Sequence, residues 1–522
     1  MKIYSGSLLR LVTVGASLLF LQCSSHKAVL QTTEGSLIQH YIPVVIGLDN
    51  PVLEVAFETE TEQELKHIQV SLAGNEAMES IQVRQLLGEG KEEKQVPLAA
   101  MMEVTEFNTI QINRTLPAGR HRFLISVVPK EGASLLDKLE VGIPEILMEN
   151  RRITPTAPQE IKPLRLAQKV RHHGDDGVHS YRIPGLATTT YGTLLAIYDV
   201  RRESSVDLQG DIDVGLSRST DGGKSWERMK IIMDMKEWGD KSEAENGIGD
   251  PSILVDPFTN TVWVMALWAH GKPGQMLWNS SESGMSPEET GQLMLVKSED
   301  DGVTWSRPIN ITSQIKNPKW KLMFNGPGKG ITMRDGTLVF AGQYKDENDM
   351  PHSTIIYSRD KGETWEISAG AKSNTTEAQV VELNDGSLML NMRDNRGGSR
   401  SVATTSDMGK TWTEHASSRS TLIEPICMGS LITYPENRTS QDASWLFFSN
   451  PSATDARKNI TIKASADQGG SWPDDHQVLL DSGTGWGYSC LSVIDEKHLG
   501  ILYESSQANM TFQIIPLEEV LH

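Results

Sequence analysis

Three arginines, two of them in apolar, strand-like surroundings, have no evident structural task. They are Arg182 in Tyr181-Arg182-Ile183-Pro184, Arg393 in Leu390-Asn391-Met392-Arg393 and Arg457 in Asp455-Ala456-Arg457-Lys458-Asn459. A charge beside a buried strand costs several kcal/mol unless it is paired or meets an anion. Any one of them would pass as a surface ion pair. Brought together from separate parts of the chain, they make a site for a carboxylate, because each guanidinium offers a planar carboxylate two parallel donors. The chain as a whole requires such a local cluster if its ligand is acidic. Its 68 acidic and 49 basic residues leave a formal net charge of −19 over 522 residues, so the arginines work against the global field. The same balance argues against a nucleic-acid binder, whose affinity rests on neutralising phosphates with Lys and Arg. Metal chemistry gives no comparable signal. The three cysteines, Cys23, Cys427 and Cys490, are too few for a disulfide framework, and His172-His173 beside Gly174 reads as a loop pair rather than a ligand set. Neither a metal nor an organic cofactor is expected.

The elements that must position those arginines are announced by a repeat. The pattern Ser/Thr-x-Asp-x-Gly-x-x-Trp occurs five times, around Asp221, Asp300, Asp360, Asp407 and Asp467, and uses five of the twelve tryptophans. Its residues suit a β-hairpin turn: the Asp carboxylate binds amides of its own turn, Gly supplies a positive φ, and Trp folds back as an apolar plug. Short β-type runs enter the turns, as in Ile212-Asp213-Val214-Gly215-Leu216 and Thr354-Ile355-Ile356-Tyr357. The motif aspartates are spaced by 79, 60, 47 and 60 residues. Units of several short strands at that period read as the blades of a β-propeller. Residues 165–522 number 358, enough for six blades of about 60. A sixth blade without the motif is expected to close the ring from the chain after Trp472 and the segment near Val178 to Val200.

The fold class expected is therefore all-β, a six-bladed β-propeller preceded by a small β-sandwich. Residues 28–150 lack the motif but carry alternating runs such as Ile68-Gln69-Val70-Ser71-Leu72 and Arg122-Phe123-Leu124-Ile125-Ser126-Val127-Val128. This sandwich either binds carbohydrate or packs on the propeller. Pro155, Pro158 and Pro163 mark residues 151–164 as a stiff linker. Residues 1–23 read as a signal peptide, with Lys2 and Arg10 ahead of an apolar run from Leu11 to Leu21 that is too short to span a bilayer. Phe20-Leu21-Gln22-Cys23 is similar to a bacterial lipoprotein signal, although Gln22 stands where a small residue is expected. Export to the periplasm or cell surface of a bacterium is expected, with Cys23 as the residue a lipid anchor would use and no membrane span.

Taken in chain order, a further set of motifs is specific. Tyr181-Arg182-Ile183-Pro184, the Asp-box hairpins, Glu377-Ala378-Gln379-Val380-Val381-Glu382-Leu383, Asn391-Met392-Arg393 and Gly487-Tyr488-Ser489-Cys490-Leu491 resemble the bacterial exo-sialidase (neuraminidase) family over roughly residues 165–515. Asp boxes occur in non-enzymatic propellers too; the ordered Arg, Glu and Tyr motifs carry the resemblance. It implies a six-bladed propeller acting on terminal α-linked sialic acids of glycoproteins, glycolipids and oligosaccharides. It implies Arg182, Arg393 and Arg457 as a clamp on the sugar carboxylate, and Glu504 as the acid that holds Arg182. Tyr488 would be the nucleophile, Glu377 its base and Asp207 the acid for the leaving oxygen, with Arg201 and Asp250 near the ring hydroxyls. The neighbouring Asp211 and Asp213 compete with Asp207, but their alternation with Ile212 and Val214 reads as outward-facing strand residues. A neutral phenol suits a carbon that already bears a carboxylate, since it avoids charge repulsion on approach. With an ordinary pKa near 10 it needs a partner to be activated. Two displacements would retain configuration. Two rivals use the same residues: a propeller lectin that holds sialic acid without cleaving it, and a trans-sialidase or an enzyme releasing an anhydro product. A lectin has no use for Tyr488, Glu377 and Asp207 together.

Overall fold

The computed structural model describes residues 31–157, 159–271, 274–435 and 445–521. The expected signal peptide and Cys23 lie outside them. The repeat does locally what its residue types predict. In every copy the leading hydroxyl accepts the Gly N–H, at 2.8 Å for Gly223 and Gly362 and 2.9 Å for Gly302, Gly409 and Gly469. That hydroxyl donates to the Asp carboxylate, which also takes the N–H and hydroxyl of the residue four positions on, as Asp300 takes both from Thr304 at 2.8 and 2.6 Å. The five motif glycines have φ between 75° and 91°, a region only glycine enters without strain. Trp365 and Trp472 are buried, and Trp226 packs edge-on against Phe512 at 5.2 Å.

Turns closed by their own bonds fix the strands on either side in register. The first sheet runs Ser180–Thr188, Leu194–Arg201, Ile212–Ser219, Lys230–Met233 in sequence order. Four further sheets of four to six strands follow, begun by Ile248–Asp256, Leu322–Asn325, Thr375–Glu382 and Ser430–Tyr434, in a β-propeller-like arrangement. The last three strands, Ser489–Val493, His498–Tyr503 and Met510–Pro516, pair in order, and Met510–Pro516 pairs antiparallel with Leu164–Arg171. The partner of the chain end is thus Leu164–Arg171, not the Val178–Val200 segment expected. Within Val178–Val200, Ser180–Thr188 pairs with Leu194–Arg201, whose other edge is taken by Ile212–Ser219 in unbroken register.

Strands between residues 31 and 156 share one core that includes Val52, Leu65, Ile81, Phe123, Ile146 and Ile153. The expected linker differs from the sequence reading: Arg151–Thr156 is a strand, parallel to Gln31–Ser36 and antiparallel to the end of Lys138–Met148. Ile153 and Pro155 point inward in alternation, so the burial of one face outweighs the prolines. This N-terminal part is pinned to the rest by Lys138 and Arg165, which share Glu519, and by the Ser482 N–H to the Tyr41 carbonyl at 2.7 Å.

Candidate active site

The first strands of three sheets are broken in register at one end, between Arg182 and Gly185, Gly249 and Ser252, and Thr375 and Ala378. Bulges of this kind re-aim side chains beside sites. They contain or flank Arg182, Asp250 and Glu377, and they hold two non-glycine residues in the left-handed region, Ile183 at φ 62° and Asp250 at φ 55°.

Arg182 is buried, and its Nε donates to Glu504 Oε1 at 2.6 Å. Glu504 is 0% exposed and is a hub: Oε1 also accepts the Ile183 N–H at 3.0 Å, and Oε2 accepts the Tyr488 N–H at 3.0 Å. One carboxylate therefore sets both the first arginine and the backbone under Tyr488. The Tyr488 phenol donates to Glu377 Oε1 and accepts from Arg393 Nη1 at 3.0 Å, while Arg393 Nη1 reaches Glu377 Oε2 at 2.6 Å. Burial, then the Glu377 carboxylate, push the phenol well above its ordinary pKa, so it stands as an O–H. The guanidinium carbons of Arg182 and Arg457 lie 5.6 and 5.5 Å from the Tyr488 ring centre. The three arginines singled out from the sequence thus converge on one tyrosine. Arg457 donates to the carbonyls of Trp486 and Ile426, and Arg393 Nε is buried without a hydrogen-bond partner among the described residues. These guanidiniums retain capacity for an anion.

Tyr488, Glu377, Arg393, Asp207 and Asp250 line one cavity of about 400 Å³. Its other wall is apolar, built by Leu208, Leu267, Trp278 and Phe324 among others. Beside it lies a second carboxylate hub. Asp199 accepts Arg201 Nε and Nη2 at 3.1 and 2.8 Å and the Asp250 N–H at 2.9 Å. Arg201 Nη1 then holds Asp207 Oδ1 at 2.8 Å and the Ser205 carbonyl at 2.7 Å. Arg201 is itself buried, and it meets the cavity wall through Asp207. Partial burial pushes Asp207 up, but Arg201 more than offsets this and holds its carboxyl below the ordinary range. Burial, then the negative charges of Asp199 and Asp207, raise Asp250 well above that range. Two carboxyls on one wall are thereby split, Asp207 held down by an arginine and Asp250 pushed up by burial and neighbouring carboxylates. Asp213 corrects the sequence reading: it is buried, not outward, and binds Arg202, which also lies 3.4 Å from Asp211. Strand alternation names a face without saying what covers it, and here Arg202 covers it.

A family model described as a BNR repeat-like domain, the same element as the Asp box, matches residues 183–482. A sialidase of Bacteroides fragilis is 52% identical over 404 residues, covering 77% of this chain and 74% of that protein. The chain belongs to the sialidase family. It is a glycoside hydrolase of the neuraminidase kind. A sialidase of Micromonospora viridifaciens is 31% identical over 352 residues, spanning 66% of this chain and 52% of that protein. Among solved structures, a Hadza microbial sialidase matches with a TM-score of 0.87 at 43% identity, covering 93% of this chain and 100% of that one.

Sequence reasoning within the sialidase family missed Asp199 and the apolar wall. Asp199 had a readable signal, an acid two residues before Arg201 in an otherwise apolar strand, Leu194–Arg201. Trp278 and Phe324 had none, because a wall residue and a core residue look alike in sequence.

Proposed function

We propose that this chain is an exo-α-sialidase that hydrolyses terminal α-linked sialic acids from glycoconjugates with retention, through a covalent sialyl-tyrosine. The observation that carries this reading is the Tyr488 phenol, hydrogen-bonded to Glu377 and Arg393 in a cavity that Asp207 and Asp250 also line. Arg182, Arg393 and Arg457 take the sugar carboxylate; each charge-assisted bond contributes about 1.5–3 kcal/mol. Glu504 keeps Arg182 in place. Because the phenol starts as O–H, it is activated in the step itself. Its oxygen bonds to the anomeric carbon as the glycosidic carbon–oxygen bond breaks, and its proton passes to Glu377. Asp207 gives a proton to the leaving oxygen. Its side chain is 68% exposed, and substrate covering it removes water and favours the protonated form. Water then bonds to the anomeric carbon, giving a proton to Asp207, and Glu377 returns its proton to the departing phenolate. Asp250 faces the ring as a hydrogen-bond donor, and Arg201 positions Asp207.

The reading extends to the whole chain. Leu164–Arg171 with the last three strands completes a six-bladed ring, residues 28–150 form a sandwich packed on it, and residues 1–23 direct export, with Cys23 as an optional lipid anchor. The strand pairing of Met510–Pro516 with Leu164–Arg171 supports the ring. Proton NMR of the first-formed product from methyl α-sialoside tests retention: the α-anomer is expected first, and the β-anomer would overturn the covalent scheme. Products from sialyllactose separate the outcomes further. Free sialic acid supports hydrolysis, whereas only transferred or anhydro products would make the chain a trans-sialidase.

A further inference from the structure

Behind the arginine cluster lies a second buried ion pair. Arg400 Nη1 donates to Glu424 Oε2 at 2.8 Å, both side chains are 0% exposed, and neither is among the residues that line the cavity. We propose that Arg400 and Glu424 are positioning residues for sialoside binding, which together set two arginines of the carboxylate clamp, Arg393 and Arg457. The proposal rests on the exo-sialidase reading and adds what holds these two guanidiniums where they meet the sugar carboxylate.

Arg393 is gripped through its own strand, Leu388–Asp394, on both sides. Two residues before it, Asn391 accepts Arg400 Nε at its side-chain oxygen at 2.7 Å and Arg400 Nη2 at its carbonyl at 3.2 Å. One residue after it, the Asp394 N–H donates to Glu424 Oε1 at 2.8 Å. The pair thus fixes the backbone on either side of a side chain whose Nη1 reaches Glu377 and Tyr488. Arg457 is reached by another route. Arg400 Nη1 also donates to the Cys427 carbonyl at 2.6 Å, and Glu424 Oε2 accepts the Cys427 N–H at 3.4 Å, which ties down residues 424–427. Between these anchors Ile426 takes φ 53°, a left-handed conformation that is costly for a β-branched residue and persists only where its surroundings over-determine it. In that conformation the Ile426 carbonyl accepts Arg457 Nη2 at 3.3 Å. Cys427, in the same turn, is buried in a cluster with Ile183 and Tyr488.

Stability alone gives little reason for such a pair. Two buried charges are seldom worth more than apolar side chains of the same volume, whereas their directed donors and acceptors fix geometry. Of the four bonds that the Arg400 side chain donates, two go to Asn391 on the strand of Arg393 and two to Glu424 and Cys427 in the turn under Arg457. The arrangement parallels Glu504, which sets Arg182 and the backbone of Tyr488. Each arginine of the clamp is then held from behind by a buried carboxylate, directly for Arg182 and through the backbone for the other two.

The test separates position from stability. The double variant Arg400→Met/Glu424→Leu strands no buried charge, so its urea midpoint is expected to lie above that of either single variant. KM for methyl α-sialoside is nonetheless expected to rise about tenfold in the double variant, because the bonds to Asn391, Asp394 and Cys427 are gone. A KM within twofold of wild type, or one that tracks the urea midpoint across the three variants, makes the pair merely structural and overturns the proposal. Should the double variant not fold, Arg400→Lys takes its place. Lysine keeps the charge but has a single nitrogen for the four bonds, so KM is expected to rise roughly threefold, and an unchanged KM overturns the proposal. A wild-type chain that releases no sialic acid from methyl α-sialoside overturns the exo-sialidase reading and the proposal with it, so the two failures are distinguishable.

Discussion

Glu504→Gln tests how far one buried carboxylate organises the site. Glu504 is fully buried and accepts three hydrogen bonds, from Arg182 Nε, the Ile183 N–H and the Tyr488 N–H. Glutamine keeps the shape but has one acceptor oxygen and one NH₂. With the oxygen toward Arg182, the NH₂ meets the Tyr488 N–H donor to donor; with the amide turned over, it meets the guanidinium. Either orientation orphans a buried donor, at about 1–3 kcal/mol. It also leaves the Arg182 charge without a counter-ion next to Arg201, and removing one partner of a buried pair costs about 3–5 kcal/mol. The second figure contains the first, so the expected loss of unfolding free energy is about 3–5 kcal/mol, read by urea denaturation. Because Arg182 loses its hold, KM for methyl α-sialoside is expected to rise by roughly tenfold or more in the folded fraction. Adding Arg182→Met removes the stranded charge, so the pair of substitutions should cost about 2 kcal/mol less than the sum of the singles. An unfolding free energy within 1 kcal/mol of wild type together with an unchanged KM would refute the assignment of Glu504 as the hub.

Tyr488→Phe removes one oxygen from a buried ring. Turnover of a sialoside should fall by about a thousandfold or more, while calorimetric binding of sialic acid persists through the arginines; retained turnover would take Tyr488 out of the chemistry. Burial and the Asp199 charge push the Asp250 carboxyl toward its neutral form, so Asp250→Asn is expected to keep kcat/KM within about fivefold at pH 5, and a hundredfold loss would show that its ionised form is required. The Asp boxes make stability acid-sensitive. Bonds from Thr304 hold Asp300 at about 2, and bonds from Thr411 hold Asp407 at about 2, against an ordinary value of 3.8. A carboxyl depressed on folding contributes stability that is complete above its unfolded value and lost as pH falls through its folded one. Unfolding free energy should therefore decline between pH 4 and pH 2, and less steeply in Asp300→Asn; an identical slope in that variant would contradict the turn geometry.

The Asp-box turns were legible in the sequence because their bonds close within a few residues, so residue type and spacing suffice to specify them. Arg182 and Arg393 were legible as charges in apolar runs, and the ordered motifs carried the family resemblance that added Arg457. Distance along the chain hid the rest. Glu504 meets Arg182 across 322 positions, and Tyr488 meets Glu377 across 111, so only the stacking of separate sheets around a common site decides that they touch. The same holds for Asp199 under Arg201 and Asp250, for Asp213 covered by Arg202, and for residues 151–156, where a strand with one buried face stands in place of a linker. Periodicity reports which face a side chain takes, whereas tertiary packing supplies what lies on that face. At Asp213 and Glu504 an opposing guanidinium is the difference between an exposed acid and a buried ion pair.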